Sequence, residues 1–333
     1  MKTLKIRFED FNWSLFVKAD IENFFVEILK IKYNVIILKD GGEEPDVLIY
    51  SWLGSNNLKW RNCIRIYYTM EMDYPDFNSC DYAIGLSNIY LEDRFFHLPL
   101  YIFYNDLLRK FENINNLHDK KEAITRNFCS IVVSNYTYRD QIFKTIYNKL
   151  NLYKQIDSGG KWNNNIGGPV KDKIEFLKKY KFNLAIENYY QNGYVTEKII
   201  ESFIAGSIPI YWGHEYVKKE FGDKGFIYIN DYDNLEKAIE HIKEIDNNDE
   251  LYYSILNERI KLQLTYNEWC EALHKFLCNA INKGKRCNHK MMHGRMYYER
   301  DMYFKIRESI PGKIYRKYKR FSYKFYDIYK KLI

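Results

Sequence analysis

The sequence predicts an α/β protein with Rossmann-like parallel sheets, and three observations support that class. Short apolar strands alternate with helical segments along much of the chain, which is typical of parallel sheets. Residues 182–213 contain one strand, helix and strand in succession, the crossover unit that builds such sheets. The chain has 333 residues, of which 46% are hydrophobic. This length allows two domains of ordinary size, and this composition excludes a disordered protein.

Residues 1–115 are predicted to form an N-terminal domain. Apolar and basic residues alternate at 4–8 and predict a first strand, and apolar residues at helical spacing predict a helix at 20–30. Further strands of this domain are predicted at 35–38, 47–50, 63–69 and 82–86.

The strand predicted at 63–69 ends just before an acidic residue, Glu71. A carboxylate on a loop at the carboxyl end of such a strand is a candidate general base, because these loops carry function on a rigid scaffold. From its position alone, a solvated loop acid is the simpler alternative.

Residues 116–290 are predicted to form a second domain, and the polar run 110–127 suits an interdomain linker or a partly exposed helix. A buried strand is predicted at 128–135, and a helix from Tyr138. Arg139 lies in the first turn of that helix, where position alone favours an ordinary surface residue. Later elements of the domain are predicted as a strand at 226–229 and helices at 235–242 and 250–282.

Residues 182–213 carry the most informative pattern. A first strand is predicted to end at Ile186. A helix is predicted to follow, with Thr196 as its N-cap and Gly206 at its end, and a second strand at 208–212.

Glu197 and Lys198 fall in the first turn of this helix, at the carboxyl end of the preceding strand. Open α/β sheets bind nucleotides at that edge, and the exposed N–H groups of a helix start favour phosphate. The stretch therefore has the outline of a phosphate site, with a solvated helix start as the alternative.

The same stretch resembles the signature of the fucosyltransferases of glycosyltransferase family 10, the α-1,3/4-fucosyltransferases. Their approximate pattern is F-x-x-x-x-E-N-S, then G-Y-V-T-E-K, then A-G-x-I-P-I-Y-W-G, and this chain has FNLAIEN, GYVTEK and AGSIPIYWG. Tyr189 stands where the family usually has Ser.

A second block of the chain, in the predicted N-terminal domain, also resembles this family. The family string Y-Y-T-x-E-N, later D-Y-A-I-G and P-L-Y, is matched by YYTMEM, DYAIG and PLY. Glu71 thereby aligns with the acid regarded as the family's catalytic base. Met70 and Met72 replace the usual Gly and Asn beside it. The resemblance covers roughly residues 60–245.

This resemblance implies the GT-B architecture, in which two Rossmann-like domains enclose the active site in a cleft. It also implies inverting transfer of L-fucose from GDP-β-L-fucose to an acceptor hydroxyl, typically O3 of N-acetylglucosamine. The expected site residues are Glu71 as base, Arg139 and Lys198 at the diphosphate, Glu197 at the ribose diol, and Asn188 and Tyr194 at the nucleoside or sugar.

No cofactor is expected to be required. Two cations at the leaving diphosphate can balance its charge, and no DxD motif stands where a metal-dependent donor site would need one. Mn²⁺ or Mg²⁺ could still stimulate the reaction by binding the diphosphate. A zinc site is also conceivable, but its residues match no standard spacing; they are Cys278, Cys287, His289 and His293. The glycine-rich segment 157–173 lacks a P-loop or GxGxxG pattern and is predicted to be a flexible loop on the donor side.

Residues 291–333 are predicted to be a C-terminal helical tail, basic and amphipathic from 313. Eight basic residues and one acid lie between Lys313 and Lys331, so this stretch carries the whole net charge of +7. Pro311 and Gly312 are expected to break the preceding helix. An aromatic face flanked by Lys and Arg suits an anionic membrane surface. A packed terminal helix is the main alternative, and nucleic-acid binding is disfavoured.

A cytoplasmic location on the inner face of a membrane is expected. No stretch reaches 18 apolar residues, the N-terminus lacks a signal-peptide core, and the six cysteines form no disulfide framework. Such an enzyme would serve cell-surface polysaccharide or lipopolysaccharide synthesis or protein glycosylation. The alternatives are a GT-B transferase with another nucleotide sugar and a non-catalytic glycan-binding protein at the membrane surface.

Overall fold

The computed structural model describes residues 1–11, 15–39, 41–114, 118–134, 141–286 and 295–319. The chain divides into two compact units. The first contains Met1–Thr69, Pro75–Ile84 and the described residues from Phe276 onwards, and the second contains Met70–Tyr74 and Gly85–Lys275.

The first unit is built on a parallel sheet, as predicted. Its strands pair in the order β2-β1-β3-β4-β5, and every pairing is parallel. The elements are β1 (Lys2–Glu9), α1 (Leu15–Lys30), β2 (Tyr33–Ile37), β3 (Val47–Tyr50), β4 (Ile64–Tyr68) and β5 (Tyr82–Gly85). Each strand predicted for this region is confirmed, with bounds that shift by one or two residues.

Two buried charged residues stabilise the loops of this unit. The guanidinium of Arg65 is fully buried and donates to the backbone carbonyls of Asn57, Trp60 and Ser79. Asp81 accepts from the backbone N–H of Arg65 at 2.8 Å. Since every one of these buried polar groups has a partner, the charges are tolerated in the core.

The second unit contains the predicted crossover. Its strands pair in the order β11-β10-β9-β7-β8, again all parallel. Its elements up to the central strand are β6 (Phe95–His97), α2 (Asn105–Glu112), α3 (Lys120–Ile124), β7 (Asn127–Ile131), α4 (Gln141–Tyr153), β8 (Ile156–Ser158), α5 (Lys173–Leu177) and β9 (Tyr180–Ile186). The later elements are α6 (Glu197–Ile204), β10 (Ile208–Trp212), α7 (Tyr216–Phe221), β11 (Ile227–Tyr228), α8 (Leu235–Asn247), α9 (Asp249–Leu256) and α10 (Tyr266–Lys283).

The centre of this sheet is β9, of which every residue is buried. Phe182, Leu184 and Ile186 of β9 belong to one apolar cluster with Ile208 and Ile210 of β10. A strand covered on both faces is expected to be mainly apolar, and burial of each large apolar side chain contributes about 2 kcal/mol. The two buried polar residues of β9 have partners: Lys181 pairs with Asp246, and Asn183 donates to Ser202. The sheet therefore holds the carboxyl ends of β9 and β10 side by side.

Several short elements of this unit were not predicted. The polar run 110–127, for which a linker or a partly exposed helix was expected, contains the short helix α3, whose N-cap Asp119 accepts from the backbone N–H of Glu122 at 2.9 Å. The helix predicted from Tyr138 is confirmed from Gln141, since residues 135–140 lie outside the described part of the chain. The elements β6, α2, β8, α5 and α7 have too few residues to show a clear period.

The predicted break before the tail is present, but it lies earlier than expected. Helix α11 (Arg295–Glu308) is followed by a bend at Ser309, and residues 310–319 are helical again, so Pro311 and Gly312 lie in the first turn of the second helix. Proline is tolerated in the first turn of a helix because the N–H that it lacks has no acceptor there. Residues 320–333 lie outside the described residues, so only the first part of the predicted basic helix is visible.

No helix among the described residues is both long enough and apolar enough to span a bilayer.

Candidate active site

A buried carboxylate lies where β9 ends. The side chain of Glu187 is completely enclosed. Its Oε1 accepts from the backbone N–H of Thr196 at 2.8 Å, and the Thr196 hydroxyl lies 2.8 Å from Oε2. These bonds join the end of a central strand to the start of α6.

Thr196 is the N-cap residue of α6, as predicted, but its side chain makes no capping bond. Its hydroxyl is used by Glu187 instead. The first turn of α6 thus keeps N–H groups that the usual cap would have satisfied. Such groups favour an anionic ligand at this point.

Lys198 completes the cluster around Glu187. Its Nζ lies 2.8 Å from Oε2 of Glu187 and 2.9 Å from the hydroxyl of Thr196. The Lys198 side chain is 15% exposed, so it is less enclosed than the carboxylate it pairs with. The predicted phosphate-binding lysine is therefore fixed at the helix start by an ion pair, a contact that the sequence had not indicated.

Tyr194 lies among three carboxylates. Its side chain is buried. Burial raises the pKa of its hydroxyl, and the nearby charges of Glu187, Glu71 and Glu197 raise it further. The phenol therefore stays neutral at physiological pH and can donate a hydrogen bond. Three predicted site residues, Tyr194, Glu71 and Glu197, are thus brought together.

Glu71 lies in the segment Met70–Tyr74, which belongs to the second compact unit. Its carboxyl keeps part of its surface open to solvent, while partial burial raises its pKa above the ordinary value. The backbone N–H of Asp73 donates to the Glu71 carbonyl at 2.9 Å, which tightens the turn. A carboxylate whose pKa is moved toward neutrality is better suited to accept a proton.

Two loops are tied to the polar loop between β9 and α6. The amide of Gln191 donates to the hydroxyl of Tyr74, on the Glu71 loop. The backbone N–H of Asn88 donates to the carbonyl of Asn192 at 2.9 Å, and the Asn192 amide returns a bond to the Asn88 carbonyl at 3.1 Å. These bonds connect the loops that carry Glu71 and Tyr194.

Gly193 makes this close approach possible. It has a φ of +91°, and a Cβ there would lie 2.4 Å from the Asn88 nitrogen and 2.4 Å from the Leu86 oxygen. Any side chain would therefore collide with backbone and would also be strained at that φ. Steric exclusion of a side chain therefore explains the glycine at the start of the GYVTEK string.

Asn188 follows Glu187 and has an unsatisfied polar atom. Its Oδ1 is buried and accepts no hydrogen bond from the described residues. A buried oxygen without a donor costs about 1–3 kcal/mol, so the atom is suited to a ligand that carries a donor. This agrees with the predicted role of Asn188 at the nucleoside or sugar.

Glu197 is half-exposed at the start of α6. Burial raises the pKa of Tyr104 to about 12, and the charges of Glu197 and Glu201 contribute to that rise. Glu201 in turn pairs with Lys173 of α5. Glu197 is therefore left as an accessible acid beside Tyr104, and its predicted contact with a ribose diol stays a prediction.

The segment 157–173 is held by its own asparagines. The amide of Asn164 donates to the carbonyls of Ser158 and Gly160, and the amide of Asn165 donates to that of Ile156. The amide of Asn163 reaches the Tyr147 hydroxyl at 2.7 Å. These bonds brace a loop that the glycine content had suggested to be flexible.

Some predicted residues cannot be placed. Arg139 lies outside the described residues, as do Cys287, His289 and His293 of the conceivable zinc site. Cys278 is buried in the first unit. The described residues contain no group of three His, Cys, Asp or Glu side chains arranged to hold a metal ion.

Glu187 is the site residue that sequence reasoning did not single out. It was matched only as one letter of the signature, because an acid that follows a strand gives no sign of its partners. Its partners Thr196 and Lys198 lie nine and eleven residues further along the chain. That spacing indicates a contact only when the fold of the crossover is known.

We expect the Glu187→Gln substitution to lower the free energy of unfolding by about 3 kcal/mol, because it leaves the Lys198 ammonium without its buried partner. Urea denaturation followed by circular dichroism measures this loss. The matched control is Glu197→Gln, a half-exposed acid on the same helix, which should change stability by less than about 0.5 kcal/mol. Equal effects of the two substitutions would show that the Glu187 pair is not a structural constraint.

The fold resembles that of solved fucosyltransferases. A crystal structure of an alpha1,3-fucosyltransferase with GDP superposes with a TM-score of 0.70 and 28% identity, covering 84% of this chain and 91% of that one. The corresponding structure with GDP-fucose gives a TM-score of 0.69 and 27% identity, with 84% and 90% covered. The predicted α/β fold of the GT-B class is thereby confirmed.

The sequence of the chain is also similar to those of known fucosyltransferases. The chain is 33% identical over 265 residues to the Helicobacter pylori protein "Alpha-(1,3)-fucosyltransferase FucT", covering 69% of this chain and 55% of that protein. It is 42% identical over 172 residues to "Putative fucosyltransferase R654" of Acanthamoeba polyphaga mimivirus, covering 47% and 27%. The chain thus spans about half or less of the length of these relatives.

Two family models account for most of the chain. Residues 6–104 match the alpha-(1,3)-fucosyltransferase FucT N-terminal domain. Residues 119–298, more than half of the chain, match the C-terminal domain of glycosyltransferase family 10 (fucosyltransferase). The chain belongs to glycosyltransferase family 10, the fucosyltransferases.

Proposed function

We propose that this chain is an inverting α-1,3-fucosyltransferase that moves L-fucose from GDP-β-L-fucose to an acceptor glycan. The O3 of N-acetylglucosamine is the proposed acceptor atom. The observation that carries the proposal is the grouping of Glu71, Tyr194 and the Glu187–Lys198 pair in one compact unit. The chain also superposes on an alpha1,3-fucosyltransferase crystallised with GDP-fucose.

Glu71 is the proposed general base. In an inverting transfer, the acceptor hydroxyl attacks the anomeric carbon as the bond to the diphosphate breaks, and the hydroxyl must lose its proton. Glu71 has the raised pKa that suits this role and a carboxyl that solvent can reach. The proton would pass from the acceptor hydroxyl to a Glu71 carboxylate oxygen.

Lys198 is the proposed partner of the leaving diphosphate, whose negative charge grows as the glycosidic bond breaks. Its ammonium group lies at the start of α6, beside the N–H groups of the first turn, and is partly exposed. Both features favour an anion. Glu187 holds the lysine at this position, and Arg139 is the second proposed cation at the diphosphate.

The remaining site residues are proposed to hold the donor. The Tyr194 hydroxyl stays neutral and can donate to a sugar or phosphate oxygen. The unsatisfied Oδ1 of Asn188 can accept from a ligand hydroxyl or amine. Glu197 can accept both hydroxyls of a ribose. Mn²⁺ or Mg²⁺ bound to the diphosphate is a proposed stimulant, which an assay with and without each ion tests.

The C-terminal tail is proposed to place the enzyme on an anionic membrane surface at the cytoplasmic side. The described part already presents large exposed apolar side chains spaced four residues apart, at Ile306, Ile310, Ile314 and Tyr318. Basic residues lie between them. This combination suits an amphipathic helix in the headgroup layer, where synthesis of a cell-surface glycan is the proposed task.

We expect Glu71→Gln to reduce kcat by about 10²- to 10⁴-fold while GDP-fucose still binds, because only proton acceptance is lost. Release of GDP in the presence of N-acetyllactosamine measures the turnover. In the wild type, activity should fall as the pH drops through the raised pKa of Glu71, since the base must be ionised; the variant should lack that fall.

The control for this experiment is Asp73→Asn, an exposed acid on the same loop, which should keep nearly full activity and the same pH profile. Turnover of Glu71→Gln close to that of the wild type would remove Glu71 from the mechanism.

We expect Lys198→Ala to weaken GDP binding by about 10- to 100-fold, the effect of one charge-assisted hydrogen bond. Calorimetric titration at low temperature measures the affinity. Because this change also leaves Glu187 unpaired, the double variant Lys198→Met with Glu187→Gln is needed, and it should show a similar loss. Lys179→Ala, which removes an exposed lysine, is the control. Unchanged GDP affinity in both Lys198 variants would contradict the diphosphate assignment.

We expect deletion of residues 313–333 to abolish co-sedimentation with anionic liposomes and to leave transfer to a small soluble acceptor intact. Each basic residue near an anionic surface contributes about 1 kcal/mol, and salt screens it. The full chain should bind phosphatidylserine vesicles at low salt and phosphatidylcholine vesicles weakly. The double variant Ile314→Ser with Tyr318→Ser keeps every charge and should bind anionic vesicles at an intermediate level. Equal sedimentation of the truncated and full chains would disprove the membrane role.

A further inference from the structure

Three exposed tyrosines lie on the two bonded loops that carry Glu71 and Tyr194, and the proposed reaction does not use them. They are Tyr74, Tyr189 and Tyr190, which we call the tyrosine surface. Tyr74 is 59% exposed, and Tyr190 is 53% exposed. A single exposed aromatic side chain needs no explanation, but a group of them beside a proposed active site indicates a binding surface.

A hydrogen bond joins the loop of Tyr74 to the loop of Tyr190. The amide of Gln191, the residue after Tyr190, donates to the Tyr74 hydroxyl. Tyr74 also precedes Pro75, which restricts the Tyr74 backbone to extended conformations. The two exposed rings are therefore held on bonded loops within the second compact unit.

Two further rings support Tyr190. The centroid of its ring lies 5.7 Å from that of Trp212, the last residue of β10, and 5.4 Å from that of His214. The His214 ring is fixed in turn, because its Nδ1 accepts from the backbone N–H of Tyr216 at 3.1 Å. An aromatic ring that is ordered before a ligand arrives loses little conformational entropy on binding. Tyr190 is thus both supported and open to solvent.

Tyr189 enlarges the aromatic area of this loop. Its ring meets that of Tyr194 edge-on, with 5.4 Å between the centroids. The fucosyltransferase signature usually has Ser at this position, and Ser cannot supply a ring. The tyrosine surface of this chain is therefore larger than the family pattern requires.

The composition of the two loops indicates which ligands they suit. Residues 188–194 are only Asn, Tyr, Gln and Gly, and residues 70–76 carry three acids and no base. Amide and hydroxyl groups can donate and accept hydrogen bonds, and tyrosine rings add flat apolar area. A neutral, polyhydroxylated ligand fits these groups. The acids disfavour a phosphate or an anionic lipid, and a protein partner would need an apolar core that residues 188–194 do not supply.

The position of Tyr74 connects this surface to the acceptor. A general base must come within hydrogen-bond distance of the hydroxyl that it deprotonates, so the acceptor sugar must reach Glu71 if Glu71 is the base. Tyr74 lies three residues after Glu71 in the same segment, Met70–Tyr74. The backbone N–H of Asp73 donates to the Glu71 carbonyl within that segment. An acceptor glycan at Glu71 therefore has the tyrosine surface beside it.

We propose that Tyr74 and Tyr190 form a binding surface for a neutral acceptor glycan, which packs the C–H faces of its sugar rings on the two tyrosines. The amide groups of the loop between β9 and α6 bond to the glycan hydroxyls. The inference rests on the proposed function for the role of Glu71, and hence for the glycan being the acceptor. Tyr74 and Tyr190 take no part in donor binding or proton transfer, and they determine which acceptors are selected.

The first test uses transfer kinetics with N-acetyllactosamine as the acceptor. Tyr74→Ala and Tyr190→Ala each remove one ring, and each should raise KM for the acceptor by about 10-fold, the effect of one lost aromatic contact. Tyr190→Phe keeps the ring and should keep a KM close to that of the wild type. The kcat at saturating acceptor and the KM for GDP-fucose should stay at wild-type values in all three variants.

The matched control is Tyr303→Ala, which removes a tyrosine of the same 59% exposure from helix α11 and should leave every kinetic constant unchanged. Circular dichroism establishes that the variants are folded. Wild-type acceptor KM values in both folded alanine variants would overturn the proposal. An equal loss of GDP affinity in calorimetry would also overturn it, because the tyrosines would then hold the donor. Loss of self-association in analytical ultracentrifugation would assign the surface to a second copy of the chain instead.

The second test does not depend on catalysis. Saturation-transfer NMR with N-acetyllactosamine should show contact between the wild type and the C–H protons of the sugar, with a clear loss in Tyr190→Ala and none in Tyr190→Phe. If this signal appears while the wild type transfers no fucose, the proposed reaction fails and the sugar-binding surface stands. If fucose is transferred but the signal depends on neither Tyr190 nor Tyr74, this inference fails and the proposed reaction stands.

Discussion

The buried carboxylate of Glu187 is the constraint on which the rest of the candidate site depends. It bonds the end of a central strand directly to the first residues of α6: Thr196 donates to it twice, and Lys198 donates once. A fully enclosed charge is tolerable only when its partners are fixed. The start of α6 is therefore held in one place, and its lysine with it.

This constraint also shapes the chemistry at the helix start. Because Glu187 occupies the Thr196 hydroxyl, the N-cap does not satisfy the first-turn N–H groups. Because the Glu187 side chain is fully enclosed and that of Lys198 is 15% exposed, solvent reaches the lysine and not the acid. The same residue that costs desolvation energy thus prepares a site for negative charge. We consider this the reason for placing an acid next to a proposed diphosphate site.

The loops around the site depend on close backbone contacts rather than on large side chains. Gly193 permits the approach to Leu86 and Asn88, and Gln191 binds Tyr74 of the Glu71 loop. These contacts bring Glu71 near Tyr194, although the two residues are 123 positions apart in the sequence. The position of the proposed base is therefore set by the same loop that follows Glu187.

Much of the fold was predictable because its strands are short apolar runs bounded by polar residues; β3, for instance, is entirely buried and was located to the residue. The crossover at 182–213 was predictable for the same reason, and so was the position of Thr196. The contacts of Glu187 were not predictable. They join the end of β9 to the start of α6, and the path of the loop between these elements sets the distance between the side chains. Pro311 indicated the break before the tail but not its exact place, which is Ser309, because proline is tolerated in the first turn of the helix that follows.

The most direct test of this account is a crystal structure of the chain with bound GDP. The account predicts diphosphate oxygens within hydrogen-bond distance of Lys198 Nζ and of the first N–H groups of α6, with the bonds between Thr196 and Glu187 intact. A diphosphate bound away from the start of α6, with Lys198 still paired only to Glu187, would contradict it.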